Sequence, residues 1–247
     1  MQIEVVTLFP EMIQEAMRHG VVGRAVTRGV LTVGTENPRA YTSDVHQTVD
    51  DRPYGGGPGM VMKPEPLSAA IGAALARLPA GSLRVAMSPQ GRLLDDALLV
   101  ELRAAPGLVL VAGRYEGIDE RVLQQSIDME LSIGNFVVSG GELPALVVID
   151  AVTRLLPGVL GDERSSVEDS FAAGILDWPH YTRPEEYAGQ RVPAVLLSGD
   201  HAAIARWRRK QALGRTWRRR PDLLAALPAD AERELLLNEY QREGTDS

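Results

Sequence analysis

Apolar residues recur along this chain in two rhythms. Short apolar-rich stretches at 3–9, 83–87, 108–112 and 130–133 have strand length, while 11–18, 66–77, 93–104, 119–125 and 143–155 space their apolar residues for one helical face. In the first of these helices that face is Met12, Ile13, Ala16 and Met17. Pro10 closes the first strand and Pro157-Gly158 stops the last helix. Strands alternating with helices predict an α/β fold whose mostly parallel sheet is covered on both faces.

One stretch organises the rest: Ser132-Ile133-Gly134-Asn135-Phe136-Val137-Val138-Ser139-Gly140-Gly141-Glu142-Leu143-Pro144. It reads as a short apolar strand bent between glycines, released into a helix near Pro144. Gly134, Gly140 and Gly141 can take positive φ and let backbone amides approach a bound molecule. Ordinary turns around a buried strand would explain glycine pairs alone. Two more strand-then-glycine corners, at 85–91 and 108–117, precede this one, and in open α/β sheets ligands sit outside the carboxyl ends of strands.

Residues 35–63 are turn-rich and charged, a length that inside a domain marks a functional or disordered loop. Its Gly55-Gly56-Gly57 lacks the Lys-Ser/Thr of a P-loop and does not fit GxGxxG, so both nucleotide motifs are rejected. From Gly161 to Ser170 the chain is polar and without period. The expected organisation is an α/β domain at 1–160, a flexible interdomain linker at 161–174 and a smaller helical domain at 175–247. Helices are expected there at 200–213, 221–227 and 229–242. No solenoid period is visible.

With 247 residues, 45% hydrophobic and 24% charged, the chain can bury one large core or two. The absence of cysteine excludes disulfides and thiolate chemistry. His19, His46, His180 and His201 show no metal-ligand spacing. No apolar run is long enough for a bilayer, and the first residues resemble a strand rather than a signal peptide, so a cytoplasmic location without membrane is expected. The net charge of -7 is uneven: residues 1–170 hold 14 bases and 22 acids, 171–247 hold 12 and 11. Arg206, Arg208, Arg209, Lys210, Arg215, Arg218, Arg219 and Arg220 interleave with Trp207 and Trp217. Such a mixture neutralises phosphates and stacks on bases, and equally describes a helix with core tryptophans and solvated arginines.

Glu116 and Glu142 could each face a cation or stand as solvated loop carboxylates. Arg154 follows Asp150 by four residues, the spacing of a helical ion pair worth ~0.3 to 0.5 kcal/mol. Asp169, in the polar stretch, has no positional reason to be a base.

Asp51-Arg52-Pro53-Tyr54-Gly55-Gly56-Gly57-Pro58-Gly59-Met60, Ser88-Pro89-Gln90-Gly91, Gly113-Arg114-Tyr115-Glu116-Gly117-Ile118-Asp119-Glu120-Arg121, Ser139-Gly140-Gly141-Glu142-Leu143-Pro144 and Asp177-Trp178-Pro179-His180-Tyr181-Thr182-Arg183-Pro184 together resemble the bacterial tRNA (guanine-N1)-methyltransferases. The likeness covers nearly the whole chain, in the family's order. It implies a SPOUT-class α/β fold with a C-terminal trefoil knot, followed by the smaller helical domain. It also implies a homodimer with its active site at the subunit interface, and S-adenosylmethionine bound in the knot. The family pattern assigns the cofactor to Met87, Ser88, Pro89, Gly91, Gly113, Tyr115, Glu116, Gly117, Ser132, Ile133, Gly134, Phe136, Val138, Gly140, Gly141 and Pro144, with mild departures at Asn135, Phe136 and Val138.

The implied reaction methylates N1 of the guanine 3′ of the anticodon, tRNA position 37. Guanine N1 must lose its proton, best to a carboxylate, and the charge pushed onto O6 calls for a cation. The resemblance gives these roles to Asp169 and Arg154, and links Mg2+ to the reaction with Glu116 as its neighbour. A tether carrying the base would assemble the site only around the right substrate. The alternatives are a non-catalytic RNA-binding regulator, which needs no Asp169 with Arg154, and a SPOUT relative acting on another base. An NAD-dependent oxidoreductase would want the missing GxGxxG.

Overall fold

Ile3, Val5, Leu108 and Leu110 point to one face of a sheet, and Val6, Val109 and Val111 to the other, so the apolar runs are buried on both sides. The computed structural model describes residues 1–161 and 168–245. They divide into two compact units, Met1–Gly161 and Asp162–Ser247. In the first, β1 (Gln2–Val6), β2 (Thr32–Glu36), β5 (Leu83–Leu93), β6 (Leu108–Val111) and β7 (Met129–Ser132) form a sheet in the order β2-β1-β6-β5-β7. Every pairing is parallel. Val5, Leu110 and Val85 stand side by side across three strands, fully buried.

One face is covered by α1 (Pro10–Ala16), α2 (Gly20–Thr27), α4 (Asp96–Ala104) and α6 (Glu142–Arg154), through Ile13, Val22, Leu98, Leu102, Val148 and Ile149. The other carries α3 (Pro64–Ala76) and α5 (Glu120–Ser126), through Leu67, Ile71 and Val122. A short antiparallel pair, β3 (Asp50–Asp51) with β4 (Val61–Met62), lies in the long loop. Asp95 and Asp119 cap α4 and α5 by accepting from the amides of Leu98 (2.8 Å) and Arg121 (3.0 Å).

Four local expectations are corrected. β2 and α2 were not anticipated; β2 is an edge strand with little apolar signal, and its Gly34 leaves the space that the Glu4 side chain fills. β5 does not stop at 87. Met87 and Arg92 both pair with Leu131, so residues 88–91 protrude as a bulge and the strand resumes to Leu93, delaying α4. Residues 136–138 form no strand: the Phe136 amide turns back to the Gly134 carbonyl (2.9 Å), and Phe136, Val137 and Val138 are exposed. The stretch 133–141 instead carries the chain from edge strand β7 past β5 to the end of β6, where Gly141 N–H donates to the Gly113 carbonyl (2.8 Å).

The second unit contains α7 (Ala194–Leu197), α8 (His201–Arg219), α9 (Pro221–Ala226) and α10 (Ala231–Thr245), with a small hairpin, β8 (Glu186–Tyr187) and β9 (Gln190–Arg191). Its core is Ile175, Ala212, Leu213 and Leu236, backed by Trp178, Leu224 and Leu227. α8 runs beyond its expected end at 213. A Cβ there would lie 2.4 Å from the Tyr240 ring, so this glycine lets α10 pack close rather than ending the helix. Of the expected linker, 162–167 lies outside the described residues. Residues 169–177 fold into a turn in which Phe171 N–H donates to the Ile175 carbonyl (2.7 Å) and Ser170 Oγ to Asp177 (2.9 Å). Among the described residues no helix is long and apolar enough to cross a membrane.

Replacing fully buried Leu110 by alanine should cost about 2 to 5 kcal/mol in urea unfolding, whereas Val100→Ala, on the outer side of α4, should stay within about 0.5 kcal/mol. A second test concerns pH. Arg84 grips Asp128 through two hydrogen bonds from its guanidinium (3.0 and 2.6 Å), tying β5 to the approach of β7. That contact, first among the causes, holds the Asp128 carboxyl below its usual range. A depressed folded pKa stabilises above the unfolded value and loses that contribution as pH falls through the folded one. Asp128→Asn should therefore cost up to about 1 kcal/mol at pH 7, and the difference should vanish in unfolding curves taken near pH 2.

Candidate active site

Three corners meet at the carboxyl ends of β5, β6 and β7. They enclose a cleft of about 270 Å³. Met87, Ser88, Pro89, Gly113, Tyr115, Glu116, Gly117, Ser132, Ile133, Gly134, Phe136, Val138, Gly140, Gly141 and Pro144 all line it. Of the residues assigned to the cofactor only Gly91 does not. A Cβ on Gly91 would sit 2.3 Å from the Glu130 carbonyl carbon and the Leu131 nitrogen, so that glycine serves the close passage of β5 over β7. Sequence reasoning did not assign Ala86, Gln90, Arg114, Ile118, Glu120, Leu123, Glu130, Leu131, Val137 and Ser139 to the ligand, although they too line the cleft.

The corner after β6 has strained backbone, with Tyr115 at φ 62° and Gly117 at φ 148°. The long loop supports it: Glu116 N–H donates to Met60 (2.9 Å), Met62 N–H to Gly117 (2.9 Å) and Asp119 N–H to Met62 (3.2 Å). The Glu116 side chain fills the place where Gly59 would carry a Cβ. Burial, followed by the hydrogen-bonded carboxylate of Asp50, pushes the Tyr115 phenol above its ordinary value. At Gly134 (φ 153°) Ser132 Oγ both donates to the glycine carbonyl (3.1 Å) and accepts from its amide (3.2 Å).

Gly140 and Gly141 do not have positive φ, contrary to expectation. They are small because of what lies against them. A Cβ on Gly140 would strike the Arg114 guanidinium at 2.2 Å, and one on Gly141 the Ala112 backbone at 2.5 Å.

Glu142, expected as a cation-facing or solvated carboxylate, is completely buried at the start of α6. One oxygen accepts from the Thr7 hydroxyl (2.8 Å). The other stands 2.8 Å from Arg114 Nε, an ion-pair contact not aligned as a hydrogen bond. Arg114 also donates to the Ser139 carbonyl (3.1 Å) and lies 4.4 Å over the Phe9 ring. Its charge is thus spent on Glu142, and the carboxylates left to the cleft are Glu116, Glu120 and Glu130. Backbone polar groups, apolar walls and a net acidic lining suit a cationic, partly aromatic ligand and disfavour a phosphate.

Arg154 is the half-buried last residue of α6 in the first unit. Asp169, exposed, belongs to the second, where it borders a hollow of about 280 Å³ with Trp178, Arg208 and Arg209. Neither unit by itself brings the two together. The basic helix is divided. Arg206 binds Glu239 in a bidentate pair (2.9 and 2.6 Å) and Lys210 binds Glu243, stapling α8 to α10. Arg220 pairs with Asp222. Arg208, Arg209, Arg218 and Arg219 form no ion pair among the described residues, and Arg208 lies 4.9 Å over the Trp178 ring.

The family described as tRNA (Guanine-1)-methyltransferase TrmD matches residues 1–226. A tRNA (guanine-N(1)-)-methyltransferase from Methylococcus capsulatus is 61% identical over 243 residues, 98% of this chain and 97% of the relative. Those from Serratia proteamaculans (58%, covering 98% and 95%) and Coxiella burnetii (56%, covering 98% of each) are similar over the same length. A profile that runs through all three corners and relatives that match from end to end leave one assignment: the chain belongs to the tRNA (guanine-1)-methyltransferase family.

Proposed function

We propose that this chain transfers a methyl group from S-adenosylmethionine to N1 of the guanine 3′ of the tRNA anticodon, position 37. The observation that carries the reading is the acidic, backbone-lined cleft, in a chain whose relatives are named for guanine-N1 methylation of tRNA. Bound there, S-adenosylmethionine supplies a methyl group activated by a sulfonium. Ile133, Ile118, Leu131 and Pro144 would flank the adenine, and the carboxylates of Glu116, Glu120 and Glu130 match the cofactor's positive charge. Asp169 takes the N1 proton, and Arg154 stabilises the charge that then develops on O6. Among the described residues no cluster of three or more His, Asp or Glu could hold a metal, and Glu116 would be the neighbour of a bound Mg2+.

Three features support the remaining parts. Backbone approaches with no room for a Cβ, at Gly91 and Gly141, are the contacts that a chain threaded through a trefoil knot would need. Leu143 and Val147, one turn apart on α6, are exposed, as are Phe136, Val137 and Val138 near the cleft, apolar surface that a second copy of the chain would cover in a dimer whose interface holds the active site. The unpaired arginines of α8 suit a tRNA-binding role for the helical domain at 175–247, joined to the domain at 1–160 through the tether at 161–174 that carries Asp169. The cytoplasm, where tRNA is modified, is the proposed location.

Asp169→Ala should bind S-adenosylmethionine within about twofold of wild type by titration calorimetry, yet lose roughly 100- to 10,000-fold in methyl transfer to tRNA. Weak cofactor binding with normal turnover per bound complex would reject Asp169 as the base. Glu142→Ala strands Arg114 in a buried place and should cost about 3 to 5 kcal/mol in unfolding, with weaker cofactor binding; the double variant Arg114→Met, Glu142→Leu should recover much of the stability.

A further inference from the structure

The second unit holds a hollow of about 560 Å³ that the proposed reaction does not use. Trp178 and Tyr181 supply aromatic walls, Leu196 and Ile204 an apolar floor, and Arg183 and Arg208 two cations. Asp169 does not line it.

α8 explains why the hollow is cationic. Residues four apart share a helical face, so Arg206 and Lys210 point together toward Glu239 and Glu243 of α10. Ile204 and Arg208 form the next such pair, on a different face, and both open into the hollow. Arg183 and Arg208 have no carboxylate partner among the described residues, although the same unit neutralises Arg191, Arg206, Lys210 and Arg220. The Arg208 guanidinium rests on the Trp178 ring instead.

Trp178 is half-buried against the small core, with His180 at 5.7 Å as well as Arg208 against its ring, while Tyr181 is 50% exposed, its ring 6.4 Å from that of Trp207. An open aromatic wall beside unpaired arginines fits a flat π-system joined to an anion, which is a nucleobase and its phosphate. The Glu185 carboxylate and the Thr182 hydroxyl at the lining offer polar groups for a base edge, and the carboxylate disfavours a bare phosphate. Paired bases cannot present their faces, so the occupant must be an unstacked residue of a loop.

We propose that this hollow is a second nucleobase subsite, taking an unpaired base of the substrate RNA other than the methylated guanine. It rests on the reading that the chain acts on tRNA.

The test uses the full-length protein, with Tyr181→Ala, Tyr181→Phe and Arg208→Gln, and measures affinity for a tRNA transcript and for a fully paired RNA duplex. Tyr181→Ala should weaken tRNA binding roughly 5- to 50-fold. The loss should fall on KM for tRNA rather than kcat, with S-adenosylmethionine affinity at the wild-type value. Tyr181→Phe, which keeps the ring, should restore it. Arg208→Gln should also weaken binding and flatten the dependence of log Kd on log salt by about 0.7 to 1. Duplex affinity should not respond to Tyr181→Ala. Wild-type tRNA affinity in both Tyr181→Ala and Arg208→Gln overturns the subsite, and so does an equal loss for tRNA and duplex. A wild-type protein that neither binds S-adenosylmethionine nor methylates tRNA would instead reject the function on which the subsite rests.

Discussion

The cleft depends on one buried contact, the pairing of Arg114 with Glu142. Arg114 leaves the corner after β6, and Glu142 opens the helix that follows the corner after β7. Between them they hold two loops whose own backbone has little regular hydrogen bonding. A carboxylate with no exposure is costly unless it is matched by charge and hydrogen bonds. Arg114 supplies the charge, the Thr7 hydroxyl supplies a hydrogen bond, and through Thr7 the end of β1 joins the same knot of contacts. Breaking any member exposes an unmatched polar group to an apolar interior, so the loops are held in one arrangement rather than many.

The same pair sets the character of the ligand site. Because Arg114 is consumed internally, the cleft keeps its acids and loses its most obvious cation. A cleft of this size with a free arginine would invite phosphate; with that arginine paired its acidic lining favours positive charge. Gly140 and Gly141 belong to this arrangement too, since any side chain there would displace the guanidinium or the end of β6.

A similar economy of charge governs the helical unit. α8 carries many cations, but those at 206 and 210 are committed to α10, and only the remaining faces have arginines to offer to RNA. Counting bases along the helix therefore overstates its attraction for phosphate. What matters is which face each cation occupies and whether an acid already stands opposite.

Hydrophobic rhythm determined most of the architecture: the central strands β1 and β6 and the helices α3, α5 and α6 lie close to where apolar periodicity puts them, because burial on both faces of a parallel sheet leaves a mostly apolar run in sequence. The motifs at 88–91, 113–117, 132–134 and 139–144 likewise marked the cleft, since glycine corners are local features. Edge strand β2 escaped notice, because a strand with one neighbour needs few apolar residues. Only the tertiary structure decided why Gly91, Gly140, Gly141 and Gly214 are glycines, that Glu142 is buried, and which arginines of α8 are spent. Each of these depends on a partner far away in the chain, and a contact between distant residues leaves no period or spacing to read.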